Sequence, residues 1–249
     1  MAAGAVATQQ RGNGTGRFGT FGGVFTPNVL TILGIILFLR SGWVVGQAGL
    51  LGALFIVALA NGISLLTGLS LAAIATSMNV RAGGNYYIIS RTLGLEIGGA
   101  IGIPLYLSQA ISIAFYIIGF TEAIRALAFF QACDPRLIAT AVVLLFVGIA
   151  WIGADFALKI QYFILAILLA ALVSFFAGGW DTIGAPALAS HYAPNVTFWL
   201  VFAVFFPAVT GIEVGTSMSG DLKDPSRSIP VGTIASIIVT ALIYFAAIY

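Results

Sequence analysis

Seven long apolar runs dominate this sequence and restrict the chain to a membrane fold. They cover approximately residues 24–40, 47–77, 97–124, 136–154, 157–178, 196–219 and 230–249. Crossing about 30 Å of hydrocarbon takes roughly 20 helical residues, whereas a barrel strand is about 10 residues of alternating polarity. These runs are continuous, and only helices satisfy their own backbone hydrogen bonds in lipid. The sequence therefore predicts an all-α membrane protein with about seven transmembrane helices.

Charged side chains are scarce in this chain. They make up 7% of the residues, against roughly 25% in a soluble domain, and the net charge of +2 provides no basic face for nucleic acid. A single histidine, His191, and a single cysteine, Cys133, are too few for the usual metal or redox centre. No span carries a pair of acids. We therefore expect no catalytic residues, no enzymatic activity, no cofactor and no resident metal ion.

The first 20 residues are polar and glycine-rich, and they lack the apolar stretch of a signal peptide. We expect a disordered cytoplasmic tail over residues 1–20 and a transmembrane transporter domain over residues 21–249. With the N-terminus inside, seven Lys and Arg fall on the cytoplasmic side and three outside, which agrees with the positive-inside rule. The seventh run ends without a polar tail, so we expect the sequence to be a fragment of a longer protein.

Two of the spans contain residues that break helices. The first holds Pro27 and Gly34, and the sixth holds Pro207, Gly211 and Gly215. Proline removes a backbone donor and glycine tolerates unwinding. Interrupted helices at matching positions of two halves are typical of secondary transporters, where freed carbonyls bind cations and helix N-termini bind anions. The alternative is that proline and glycine are simply common in membrane helices.

Two polar side chains inside the spans are candidates for function. Glu213 is the one carboxylate placed within a span, and a buried acid costs about 2.5 to 3.5 kcal/mol and usually marks a pathway or an ionic partner. It is a candidate coupling acid, with solvation in a wide vestibule or pairing with a basic residue as alternatives. The hydroxyl of Tyr116 in the third span is a candidate cation ligand, although membrane tyrosines more often serve packing.

Four stretches of sequence carry a family resemblance. They are residues 34–49 (GIILFLRSGWVVGQAG), 81–91 (RAGGNYYIISR), 205–211 (FFPAVTG) and 219–230 (SGDLKDPSRSIP). Together they resemble the cation-chloride cotransporters of the amino acid-polyamine-organocation (APC) superfamily. The last stretch and the Arg-x-Gly-Gly-x-Tyr loop also resemble amino acid permeases of that superfamily. The other runs look particular to the cotransporters.

The resemblance implies a LeuT-like, APC-type inverted-repeat fold, of which this chain is similar to the N-terminal part of the membrane domain. Family members have twelve helices, and the first ten form two inverted five-helix repeats. The first repeat falls on residues 24–178 and the start of the second on residues 196–249, with the first and sixth helices interrupted. Our hypothesis for the loop at residues 81–91 is a cytoplasmic gate or a short interfacial helix; the alternative is that it only connects two spans and anchors them on the positive, cytoplasmic side.

The resemblance also implies two kinds of ion site. Family potassium is held by carbonyl and hydroxyl oxygens, which fall here on Thr31, Ile32, Tyr116, Pro207 and Thr210. One chloride lies against backbone NH groups that fall on Gly34, Ile35 and Ile36. The other faces NH groups that fall on Gly211, Ile212 and Glu213.

Three departures from the family pattern bear on these sites. Thr31 stands where the family usually has asparagine, although the ligand there is largely a backbone carbonyl. Glu213 replaces an apolar residue, and its carboxylate would repel chloride by several kcal/mol in a poorly screened site. Either that anion site is lost, a cation or proton uses it, or the side chain points elsewhere. Family sodium sites rely on the eighth helix, which this sequence does not reach. The sequence is therefore compatible with transport of K+ alone and with transport of K+ together with Na+.

These features favour a secondary active cation-chloride symporter that moves K+ and/or Na+ with Cl− by alternating access around a midplane site. An amino acid permease is the alternative, since Glu213 could pair with an amine, but the bulky residues 31–36 disfavour close approach of a carboxylate. A passive channel would lack flux coupling. We expect an integral protein of the plasma membrane, embedded in the lipid bilayer with its N-terminus in the cytoplasm and without nucleic acid. A homodimer is left open.

Overall fold

The computed structural model describes residues 18–78, 80–152, 154–178 and 188–249. Ten α-helices make up most of this described part of the chain. They are α1 (Thr26–Ile32), α2 (Ile35–Leu39), α3 (Ser41–Ser77), α4 (Gly84–Leu93), α5 (Leu95–Arg125), α6 (Pro135–Ile152), α7 (Ala154–Ala177), α8 (Phe198–Phe205), α9 (Val214–Ser217) and α10 (Pro225–Ile248). A π-helical turn, Phe21–Phe25, leads into α1, and short 3-10 turns lie at Ala128–Phe130, Phe206–Val209 and Ser219–Asp221.

Six helical segments of the described chain are long and apolar enough to cross a membrane. They are Phe21–Leu39, Ser41–Ser77, Leu95–Arg125, Lys159–Ala177, Phe198–Ser217 and Pro225–Ile248, and a shorter apolar helix covers Pro135–Trp151. These seven segments coincide with the seven apolar runs of the sequence. The predicted all-α membrane fold is therefore confirmed.

The first span is interrupted after Ile32. Leu33 (φ −80°, ψ 44°) and Gly34 (φ −83°, ψ −157°) leave the helical conformation, and α2 begins at Ile35. The prediction that Pro27 marks this break was wrong, because the backbone is helical on both sides of Pro27, from the π-helical turn into α1. The backbone adjusts before it instead, since Thr26 donates to the carbonyl of Phe21 five residues earlier.

A second bend separates the first span from the next one. Gly49 lies within α3 but has φ +66° and ψ 170°, a backbone conformation that glycine adopts without steric cost. The loop after residue 187 packs onto this bend, where the backbone NH of His191 donates to the carbonyl of Gln47 at 3.0 Å. The backbone NH of Ala193 donates to the Oε1 of the same glutamine at 2.8 Å.

The sixth span is interrupted as well. Helix α8 runs directly into the 3-10 turn Phe206–Val209, and Thr210 then adopts an extended conformation. Gly211 follows with φ +101°, and α9 begins only at Val214. Both predicted interruptions are therefore present, and each contains a glycine.

Helices α3 and α10 pack along each other and form the centre of the core. Ile56, Val57 and Ala60 of α3 are fully buried there, together with Tyr244 of α10. Gly68 leaves room for this contact, because a Cβ at that position would lie 2.6 Å from the Cδ1 of Ile237. Small residues at helix contacts are what membrane packing favours, since they let two backbones approach closely.

The end of the bundle that holds Phe18 is called the tail side here. Residues 1–17 of the predicted tail lie outside the described residues, but Phe18 belongs to the fold, since it pairs with Leu222 in an isolated bridge. Its backbone NH donates to Asp221 at 3.0 Å, and its carbonyl accepts from Lys223 at 2.9 Å. Phe18 is therefore part of the packed structure on the tail side.

Asp224 stabilises the start of α10 on the tail side. Its Oδ1 accepts a hydrogen bond from the hydroxyl of Ser226 at 2.7 Å and another from the backbone NH of Arg227 at 3.3 Å. The bond from Ser226, more than any other interaction, lowers the pKa of the Asp224 carboxyl. A carboxylate at a helix N-terminus also interacts favourably with the helix dipole.

The substitution Gly232→Ala tests how tightly α10 packs against the π-helical turn. A Cβ at Gly232 would lie 2.7 Å from the Cβ of Val24 and 3.3 Å from the backbone N of Phe25. We expect a loss of about 1 to 3 kcal/mol in the free energy of unfolding, because an overpacked contact forces the helices apart. Thermal unfolding of the full-length protein in detergent measures it. Gly62→Ala is the control, since nothing lies within 4 Å of a Cβ there; equal melting temperatures for the two variants would contradict the prediction.

Candidate functional site

The two interruptions and α5 enclose a cavity of about 250 Å³. Its lining residues are Thr31, Ile32, Gly34, Ile35, Ile36, Ile111, Ser112, Phe115, Tyr116, Pro207, Ala208 and Thr210. All of them are uncharged, so the polarity of the cavity comes from hydroxyl groups and from the backbone. The cavity brings together the five residues predicted to hold a cation and three of those predicted to hold chloride. Their roles as ligands stay predictions.

The first interruption presents backbone oxygens to this cavity. The carbonyl of Thr31 accepts a hydrogen bond from the hydroxyl of Tyr116 at 3.3 Å. The hydroxyl of Thr31 donates to the carbonyl of Pro27 at 2.8 Å, so it is used inside its own helix. Position 34 must be small, because a Cβ there would lie 3.0 Å from the Thr31 carbonyl and 3.2 Å from the Tyr116 ring.

The second interruption folds back on itself and contacts the first. The carbonyl of Pro207 accepts hydrogen bonds from the hydroxyl of Thr210 at 2.7 Å and from its backbone NH at 3.3 Å. Gly211 lies against Thr31, and a Cβ on this glycine would be 3.1 Å from the Cβ of Thr31. With its positive φ and its close neighbour, this position requires glycine on two separate grounds.

The residues predicted for the second chloride site do not line this cavity. Gly211 and Ile212 are absent from its lining, and Ile212 is buried in the core. Glu213 is half-buried just before α9, and it does not line the cavity either. Its backbone carbonyl accepts from Thr216 and Ser217. No hydrogen bond or ion pair to its carboxylate is found in the described part of the chain.

Hydroxyl groups from other helices bind three further carbonyls of the interruptions, and these hydroxyls were not predicted from the sequence. Ser64 of α3 donates to the carbonyl of Val209 at 2.8 Å. The Tyr244 hydroxyl of α10 lies 2.8 Å from the carbonyl oxygen of Ile32 and 3.2 Å from that of Ala208. A sequence signal for Tyr244 exists, since Thr233, Ser236, Thr240 and Tyr244 form a polar stripe at helical spacing within an apolar run.

Polar contacts close the bundle below the cavity on the tail side. The Asn28 side chain accepts from the backbone NH of Gly215 at 2.8 Å and donates to Ser236 at 3.3 Å. The Thr216 hydroxyl donates to the Oδ1 of Asn85 at 3.0 Å. Asn85 lies in α4, so the loop at residues 81–91 contains the short helix that was expected of it. These contacts connect α1, α9, α10 and α4.

An ion pair joins the end of the first span to the end of α5, on the side of the protein opposite the tail side. The guanidinium of Arg40 lies 3.0 Å from the carboxylate of Glu122, and about half of each side chain is exposed. Exposed pairs of this kind contribute roughly 0 to 1 kcal/mol to stability. Its position matters more than its energy, because it connects a helix that continues an interruption to the helix that carries Tyr116.

Comparison with known proteins gives a family match and several relatives. A model of the amino acid permease family matches residues 23–249. The chain is 40% identical to solute carrier family 12 member 2 of Danio rerio over 252 residues, which are 93% of this chain and 22% of that protein. It is 38% identical to solute carrier family 12 member 1 of Mus musculus over 254 residues, 93% of this chain and 23% of that protein.

These comparisons confirm the family resemblance inferred from the four sequence stretches. The family match also agrees with a partial APC-type fold, as do the helices of the described chain. The chain spans about a fifth of the length of the curated relatives it matches. That proportion fits the expected correspondence with the N-terminal part of a membrane domain.

Proposed function

Because this chain belongs to the amino acid permease family, we propose that it functions in secondary active symport of a monovalent cation with chloride. The observation that carries this proposal is the convergence of backbone and hydroxyl oxygens from both interruptions on one uncharged cavity. Oxygen dipoles replace the hydration shell of an alkali cation without fixing a competing charge beside it. Unwound carbonyls at midplane interruptions are where secondary transporters hold their coupling ions.

The cation in this proposal is K+ or Na+, held at the carbonyls of Thr31, Ile32 and Pro207 and the hydroxyls of Tyr116 and Thr210. The residue at position 31 contributes through its backbone, since its side chain is bonded to Pro27. The departure from the family's asparagine therefore leaves the proposed ligand in place. Tyr116 and Thr210 each have a hydroxyl oxygen whose second lone pair is available to a cation.

Chloride is proposed to bind at the backbone NH groups of Gly34, Ile35 and Ile36. The first NH groups of a helix have no partner within that helix, and its dipole favours an anion there. Gly34 and the first two residues of α2 line the same cavity as the cation ligands. A cation and an anion in one cavity stabilise each other, which gives a physical basis for coupled transport.

The alternative substrate, an amino acid, was supported by Glu213, and the position of this residue removes that support. An amine would need a carboxylate partner, and Glu213 does not line the cavity. The cavity wall also carries Ile32, Ile35 and Ile36, whose bulk disfavours close approach of a substrate carboxylate to the backbone. The geometry therefore favours ions over a zwitterion.

The transport cycle in this proposal moves the bundle of the first and sixth spans against a scaffold that includes α5 and α6. The two interrupted spans contact each other at Gly211 and Thr31, which supports their movement as one unit. We propose that the N-terminus lies in the cytoplasm, since the loops on that side carry more Lys and Arg, and that the membrane is the plasma membrane.

Rubidium uptake by the full-length protein tests the coupling to chloride. Rubidium substitutes for potassium, and gluconate replaces chloride with a much larger organic anion. We expect uptake to fall to the background of untransfected cells in gluconate medium, since the cation and chloride move together. Unchanged uptake in gluconate would refute chloride coupling.

Tyr116→Phe and Thr210→Ala test the proposed cation ligands. Each removes one oxygen, so we expect the half-saturation concentration for rubidium to rise about five- to tenfold. Tyr106→Phe is the control for the first variant, because Tyr106 lies on the same helix outside this cavity. Thr67→Ala is the control for the second, since that hydroxyl bonds only within α3. An unchanged half-saturation concentration in both test variants would show that the cation binds elsewhere.

Glu213→Gln tests the acid just before α9. We propose that Glu213 is the coupling acid of transport, so the variant is expected to change the pH dependence of rubidium uptake. Uptake is measured as a function of pH in both proteins. Glu96→Gln, at the exposed start of α5, is the control. Superimposable pH profiles for wild type and Glu213→Gln would assign the carboxylate a structural role.

A further inference from the structure

One buried tyrosine outside the cavity contacts both interruptions. Tyr244 lies near the end of α10 and is fully buried, the largest such side chain of the described residues. It does not line the cavity. It ends a stripe of buried polar residues on one face of α10 that also contains Thr233, Ser236 and Thr240. The stripe is directed towards the first span, since Ser236 accepts a hydrogen bond from Asn28.

The hydroxyl of Tyr244 lies between two carbonyl oxygens that the interruptions free. Ile32 is the last residue of α1, and its carbonyl oxygen is 2.8 Å from the hydroxyl oxygen. Ala208 lies in the 3-10 turn of the sixth span, and its carbonyl oxygen is 3.2 Å away. A tyrosine hydroxyl has one proton, so it donates fully to one carbonyl at a time or shares the proton between both. Either way, it holds two oxygens close together that would otherwise repel.

The ring of Tyr244 is fixed by its surroundings. It packs edge to face against Phe205, with ring centroids 5.4 Å apart and an interplanar angle of 82°. Phe205 is itself fully buried in the core. The hydroxyl therefore has a defined position, and that position sets the distance between the two interruptions.

We propose that Tyr244 is a positioning residue for the cation site. It ties the carbonyl ends of the two interruptions to α10 and so fixes the spacing of the oxygens that face the cavity. This inference rests on the proposed function, because it assigns Tyr244 to the cation site proposed there. Its role differs from that of Tyr116, which lines the cavity and bonds to the neighbouring carbonyl of Thr31.

A cation held by preformed dipoles depends on their spacing, because the oxygens must match the ion without first being moved together. Without the hydroxyl, the Ile32 and Ala208 carbonyls lose their shared donor and separate. The cation then binds more weakly, while the helices remain packed around an unchanged ring. The expected effect is therefore on cation affinity, with little effect on the maximal rate.

Tyr244→Phe in the full-length protein tests this inference, since it keeps the ring and removes one oxygen atom. We expect the half-saturation concentration for rubidium to rise about five- to tenfold. Maximal uptake per transporter at the cell surface should stay within about twofold of wild type, as expected when only ground-state binding is lost. Tyr106→Phe, at an exposed tyrosine of α5 outside the cavity, is the control and should leave both values unchanged.

A second measurement reads cation binding without transport. The melting temperature of the purified protein is followed as KCl replaces N-methylglucamine chloride, because a bound ligand stabilises the folded state. We expect Tyr244→Phe to need about five- to tenfold more potassium for the same shift. If potassium raises the melting temperature of the wild-type protein and the variant shows the same potassium dependence, the inference is overturned and the proposed function stands. If the wild-type protein neither takes up rubidium nor is stabilised by potassium, the inference and the proposed function are both overturned.

Phe205→Leu provides a second variant should Tyr244→Phe fail to reach the membrane. It leaves the hydroxyl in place and removes the ring that fixes it, so the half-saturation concentration for rubidium should rise about two- to threefold. A lower maximal rate with unchanged half-saturation in the variants that reach the membrane would assign Tyr244 to packing alone and overturn the inference.

Discussion

The backbone carbonyls of a helix that ends inside the hydrocarbon must accept hydrogen bonds from groups outside that helix. The rest of this structure depends on which groups donate those hydrogen bonds. No water competes for these groups in lipid, and an unsatisfied one costs several kcal/mol. Here the partners are hydroxyl groups from three other helices. Tyr116 of α5 bonds to Thr31, Tyr244 of α10 bonds to Ile32, and Ser64 of α3 bonds to Val209. The interruptions therefore exist only within the assembled bundle.

Of these three hydroxyls, that of Tyr116 belongs to the lining of the cavity, whereas those of Tyr244 and Ser64 do not. The Tyr116 hydroxyl holds a carbonyl by a neutral hydrogen bond, and all the lining residues are uncharged. The Tyr116 bond is 3.3 Å long and faces the cavity, whereas the Tyr244 bond to Ile32 is 2.8 Å long and lies behind it. The hydroxyl oxygen of Tyr116 is therefore suited to contact an ion, whereas the hydroxyl oxygen of Tyr244 is suited to hold the backbone in place.

Glycines allow the interrupted spans to approach their neighbours closely enough for these bonds to form. Gly211 lies against Thr31, while Gly215 and Gly232 both lie against Val24. Below this contact, on the tail side, Asn28 and Thr216 connect the first and sixth spans to α10 and α4. On the opposite side, the ion pair of Arg40 and Glu122 connects the first span to α5. The first and sixth spans are thus tied to their surroundings by polar contacts at both ends.

The sequence by itself determined the helical membrane fold, the positions of the spans, the two interrupted helices and the family. These properties follow from local features, namely apolar run length, helix-breaking residues and short motifs, all readable within a few turns of helix. Only the tertiary structure decided that Pro27 lies away from the break, that Glu213 lies outside the cavity and that Tyr244 joins both interruptions. For Tyr244 the reason is distance along the chain, since its hydroxyl bonds to a carbonyl 212 residues away. Periodicity identifies a buried polar face on a helix, but only the packed bundle selects the partner of each hydroxyl.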